Sequence, residues 1–138
     1  MTASASDILT TQKNNVVAIN AVAGFLQTLY NNIPTAQLVQ SAAATSPSRI
    51  YTASTKIASH INTICVCNTA SGAATFSIFI VPSGGTAGAG NAIFYSSAIA
   101  ANTTFTSNVI FIIPAGGTLW ASASATTVTF NIAGGASI

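Results

Sequence analysis

The chain has 138 residues, room for one domain and little more. Only 3% of them are charged, where an ordinary globular domain carries roughly 25%; the charge resides on Asp7, Lys13, Arg49 and Lys56. A net charge of +2 from scattered cations excludes a basic stripe for nucleic acid, and a surface with so little repulsion favours association.

The first twelve residues, MTASASDILTTQ, lack the basic region and apolar core of a secretory signal. The expectation is a chain made in the cytoplasm and used without export. The longest apolar candidate, 16–29, is interrupted by Asn20, Gly24 and Gln27, whereas a membrane-spanning helix needs about 20 uninterrupted residues.

Ile19, Val22, Leu26, Leu29 and Ile33 recur at spacings of three and four. That stripe predicts an amphipathic helix over 10–32, roughly 35 Å long, started by Ser6 or Thr10 and stopped by Pro34. The five residues fall on a and d positions of a heptad. Carried backwards, the same frame places Asn15 at d and Gln12 at a. Two readings stay open: a helix lying on its own core, or a short parallel coiled coil whose polar Gln12 and Asn15 set the register. Either way the segment packs and performs no chemistry.

Beyond Pro34 the pattern turns to short β-type runs separated by turn residues. Strands are predicted at 36–42, 49–53, 60–68, 75–81, 93–97, 103–113, 118–124 and 127–133. Val128, Phe130 and Ile132 alternate with Thr127, Thr129 and Asn131, the mark of one buried and one polar face. The 75–81 run is apolar on both sides through Phe79 and Val81, so its second face needs a cover, either the helix or a neighbouring subunit. About eight strands in about 100 residues, with no helical pattern between them, predict a mainly β fold. It is an antiparallel β-sandwich, jelly-roll-like, over 34–138, preceded by the N-terminal leader and amphipathic helix of 1–33.

Residues able to do chemistry are scarce. Asp7 is the only carboxylate side chain, yet acid–base pairs and Ser-His-Asp triads all need one beside the reacting group. Calcium or magnesium sites built from carboxylates are excluded on the same ground. His60, the only histidine, lies an odd number of positions from Cys65 and Cys67, so a regular strand points it to the opposite face, about 16 Å from Cys65. Those three residues also fall short of the four ligands of a structural zinc site. Cys65 and Cys67 are two apart in one strand, with parallel side chains that do not converge on a disulfide, and are expected as free packed thiols.

Gly84, Gly85, Gly88 and Gly90 crowd the segment SGGTAGAGN. No Lys and Ser or Thr follow at a helix start, so it is a flexible hairpin loop, open to contact, and not a phosphate loop. Asn102-Thr103-Thr104 fits a glycosylation acceptor, which has meaning only in a secreted protein. Trp120, Tyr51, Tyr95 and Phe94 are candidates for a sugar-stacking platform, but with no acidic side chains to hold sugar hydroxyls they are read foremost as core or interface aromatics of the sandwich. No catalytic residue, metal site or cofactor is expected.

The stretch ICVCNTASGAATFSIFIVPSGGTAGAGNAIFY, followed by AIAANTTF and IPAGGTLWASASATTVTFNIAGG, resembles a group of small virion proteins of tailed bacteriophages. The likeness spans about 61–134 and leaves the helix outside. It implies capsid decoration, tail or fibre proteins and brings no catalytic residues. The expected function is therefore a non-enzymatic virion subunit, foremost a capsid decoration (cement) protein assembled in the host cytoplasm. Its expected partners are itself, as a homotrimer, and virion proteins such as the major capsid protein, with no nucleic acid, membrane or small-molecule substrate. A tail or fibre module touching the host surface is the alternative.

Overall fold

The computed structural model describes residues 4–31 and 36–136, with side chains described for 4–23 and 36–136. The chain divides into two units between positions 33 and 34.

The first unit is helix α1 (Ala5–Asn31). It begins five residues before the position expected from the stripe, and a reciprocal cap explains why. The Asp7 N–H donates to Ser4 Oγ at 3.2 Å, and the Ser4 N–H donates back to the Asp7 carboxylate at 3.3 Å. This satisfies N-terminal amides that otherwise have no partner. Neither Ser6 nor Thr10 caps the helix. The Thr10 hydroxyl instead bonds to the Ser6 carbonyl one turn back, at 2.9 Å, the usual use of a threonine inside a helix.

The second unit is the antiparallel sandwich. Its strands are β1 (Ala36–Ala42), β2 (Ser48–Thr52), β3 (Ser59–Asn68), β4 (Ala74–Val81), β5 (Ala92–Ile99), β6 (Thr103–Ser107), β7 (Phe111–Ile113), β8 (Thr118–Ala123) and β9 (Val128–Ala136). One sheet has the order β1-β9-β3-β6, with β7 also on β3; the other has the order β2-β8-β4-β5. The pairs β1 with β9, β2 with β8, β3 with β6 and β7, and β4 with β5 form one long antiparallel ribbon. Folding that ribbon over itself adds β3 beside β9 and β4 beside β8, which is the jelly roll.

Alternation drives the closure. Val128, Phe130 and Ile132 of β9 line up beside Ile64 and Val66 of neighbouring β3 and join Phe76 and Ile78 of β4, in the other sheet, in one continuous buried core. Five phenylalanines meet there: Phe76 stands within 6.4 Å of Phe94, Phe105 and Phe130, and Phe94 lies 6.1 Å from Phe111.

The single strand expected over 103–113 is two. Strand β3 bulges between Ile61 and Thr63 in its pairing with β9, and the bulge steps the register on the other side. There, positions 108–110 stand opposite positions 62–63, unpaired, between β6 and β7. A bulge leaves the extra residue out of the ladder and breaks the run.

Asn68, at the end of β3 and wholly buried, ties two turns together. Its amide donates to the carbonyls of Gly72 at 2.8 Å and Ala100 at 3.2 Å, and its Oδ1 accepts the Ala70 N–H at 3.1 Å. Asn68→Leu strands those backbone groups, and each buried group without a partner costs about 1–3 kcal/mol. We expect a loss of about 2–4 kcal/mol in a guanidinium titration. An unmoved midpoint would show that water replaces the side chain at no cost.

Candidate interaction surfaces

Among the described residues no three of the His, Cys, Asp and Glu side chains come together. His60 does not occupy the face opposite the cysteines, as a regular strand would require. The Asn62 bulge turns the alternation over, so His60, Cys65 and Cys67 are each half-buried between buried neighbours on the outer face of the first sheet. Five residues of strand still separate His60 from Cys65, about 16 Å. Both cysteines are free.

Several large apolar side chains among the described residues stand open to solvent. On α1, Ile8, Leu9, Val16, Val17, Ile19 and Val22 are each between 50% and 67% exposed. Ile19 and Val22, two of the five stripe residues, sit with Ala18 and Ala23 along one shallow furrow of the helix. The side chains of Leu26 and Leu29, and the whole of Ile33, lie outside the described residues. The frame holding Gln12 at a and Asn15 at d puts Ile8 at the preceding d. The helix reaches that position because it starts at Ala5.

On the sandwich, Val109, Ile110 and Ile112 are exposed along the edge where β6 gives way to β7. Edge positions of this kind, apolar and uncharged, are where sheets acquire partners.

The glycine segment is a shaped loop. Gly84 has φ +78°, in the left-handed region that favours glycine, and the Gly85 N–H closes the turn on the Pro82 carbonyl at 3.0 Å. Asn91 pins the far side: its Oδ1 accepts the Gly88 N–H at 3.0 Å, and its amide donates to the Thr86 carbonyl at 3.0 Å. Gly84, Gly85, Gly88 and Gly90 are all exposed. Asn91→Ala is expected to speed hydrogen exchange at the Gly88 amide while changing global stability by no more than about 0.5 kcal/mol. Unchanged exchange would mean that Asn91 does not hold the loop.

That loop also bears on the second face of β4. Phe79 and Val81 are buried without belonging to the main core, and the sandwich unit itself supplies cover for them. Trp120 of β8 lies opposite Phe79, the Tyr95 ring stands against it, and a Cβ on Gly85 would touch the Val81 side chain. The single 3-10 turn Ala89–Asn91 packs beside β4.

The four aromatics considered for a sugar platform separate. Phe94 and Tyr51 pack on the core, where the Tyr51 hydroxyl meets Ser59 Oγ at 2.8 Å. Trp120 and Tyr95 share the outer face of the second sheet.

Searches with protein-family models and among curated proteins gave no match to this chain. No helix among the described residues is long and apolar enough to cross a membrane.

Proposed function

We propose that this chain is a non-enzymatic structural subunit of a bacteriophage particle, foremost a head decoration protein that cements neighbouring capsid subunits. The supporting observation is the run of large apolar side chains left in solvent along α1, in a chain with only 3% charged residues. A helix draws most of its stability from packing an apolar face, and here the seam awaits copies of itself. β-branched Ile8 and Val22 at d with Ile19 at a favour more than two strands, hence a homotrimer. The uncharged edge at Val109, Ile110 and Ile112 is the surface offered to the major capsid protein. The virion itself enters through the sequence blocks of 61–134.

The alternative is a tail or fibre module with α1 as a trimeric stalk. The pairing of Trp120 and Tyr95 on one outer face favours it, since such a face suits a host surface. Removal of the chain from the phage genome separates the two. On the decoration reading, heads assemble but release their DNA at lower temperature or after milder osmotic shock. Heads of full resistance with a defect in adsorption would instead select the fibre.

A further inference from the structure

The outer face of the second sheet carries a row of side chains that neither the seam nor the β7 edge uses. Arg49 of β2 lies directly opposite Trp120 of β8, and Trp120 lies directly opposite Phe79 of β4. Opposed residues of an antiparallel pair share a face. Leu119 and Ala121, on either side of Trp120, belong to the core, so Arg49, Trp120 and Phe79 look outward. Tyr95 of β5 extends the row, meeting the Phe79 ring edge-on at 6.4 Å and 81°.

The row has the parts of a stacking site. Phe79 is the floor, only 2% exposed, while Tyr95 stands 62% exposed beside it. The half-buried Trp120 is held in orientation, because its Nε1–H donates to Thr118 Oγ1 at 2.8 Å. Strands β8 and β5 flank β4, which sets the two rings on strands about 10 Å apart. Ser122, two residues on from Trp120 and opposite Ser77, adds a hydroxyl to the same face.

Charge narrows the ligand. Asp7 is the only Asp or Glu of the chain and lies in the helical unit, so the sandwich unit has no acidic side chain to pair with Arg49. A guanidinium is always charged, and its planar fork matches a carboxylate. Aromatic faces next to a guanidinium and a hydroxyl suit a sugar ring, whose C–H face stacks while its polar groups are hydrogen-bonded.

We propose that this face binds an acidic sugar, a pyranose bearing a carboxylate. The ring stacks on Trp120, the carboxylate pairs with Arg49, and the next sugar of the chain runs towards Tyr95. The inference is independent of the decoration reading, since it uses none of the stripe or edge residues; it names a ligand for the face that the tail or fibre reading also invokes.

Trp120 is the only tryptophan, so its emission reports on this face alone. The test is an array of oligosaccharides with and without uronic or sialic acid residues, applied to the full chain, with hits titrated by Trp120 fluorescence. Variants are titrated by calorimetry after circular dichroism has confirmed their fold. The expected result is an acidic oligosaccharide that shifts the emission and binds at least tenfold tighter than its neutral counterpart. Arg49→Gln is expected to remove that preference. Trp120→Ala is expected to weaken binding more than tenfold, and Trp120→Phe, which keeps a ring, less. The proposal is overturned if no acidic oligosaccharide binds, if neutral ones bind equally well, or if binding survives Trp120→Ala. An emission shift driven by protein concentration alone would make the face a contact between copies and overturn it too.

Discussion

The double variant Ile19→Asp/Val22→Asp is expected to run as a monomer in light scattering, and the wild-type chain is expected at three times the 13.8 kDa chain mass. Both residues are exposed on α1 and stand at consecutive a and d positions of the seam. Burying a Val or Ile side chain contributes about 1.5–3 kcal/mol, so six such side chains in a trimer contribute on the order of 10 kcal/mol. An aspartate at each site removes that contribution and sets carboxylates against one another at the axis, where unpaired charge is costly. Because the sandwich is a separate unit, its thermal unfolding is expected to stay where it was. A double variant that remained trimeric would remove the seam from the account. Co-loss of trimer and sandwich would show instead that the two units fold as one.

Gly134→Ala is expected to be the most damaging single methyl in the chain. Gly134 lies on β9 between β1 and β3, opposite Ala36 on one side and Ile61 on the other. A Cβ there would overlap the backbone carbonyl of His60 and come within 3.0 Å of the Ile61 Cα. The obstacle is backbone, so relief requires β3 and β9 to part at the centre of the first sheet. We expect a loss of more than about 4 kcal/mol, in the range reserved for broken cores, and a fall in Tm of roughly 15–30 °C. Gly88→Ala serves as the control, since nothing lies within 4 Å of the added carbon, and it is expected to change stability by no more than about 0.5 kcal/mol. Equal effects from the two variants would mean that the close approach at Gly134 is relieved at no cost.

Much of this architecture was legible because β periodicity is a local signal. The alternation of Val128, Phe130 and Ile132 puts those residues in the core, and turn chemistry at PAGG and TASG separates consecutive strands that go to different sheets. The helix was legible from the spacing of Ile19 and Val22 for the same reason. The start of the helix was not, because it rests on a reciprocal bond between Ser4 and Asp7 that lies outside the apolar stripe. The division of β6 from β7 escaped as well, since its cause is a bulge at Asn62 on another strand.

The cover of Phe79 and Val81 shows a further limit. Apolar residues on both faces of β4 correctly announced a second covered surface. Only the fold reveals that Trp120, Tyr95 and the loop after Pro82 supply much of the cover. Likewise, composition grouped Trp120, Tyr51, Tyr95 and Phe94 together, whereas strand parity divides them, two in and two out. Asn68 read as one member of a CNT block; its role in tying two turns is a tertiary fact, set by where Gly72 and Ala100 come to lie.

The proposal that this chain cements a phage head is tested most directly by electron microscopy of intact particles, with the chain located by a tag or antibody. The account predicts density that repeats over the capsid lattice at positions between neighbouring capsid subunits. Label confined to the tail would contradict decoration and leave the fibre reading, and its absence from every particle would contradict both.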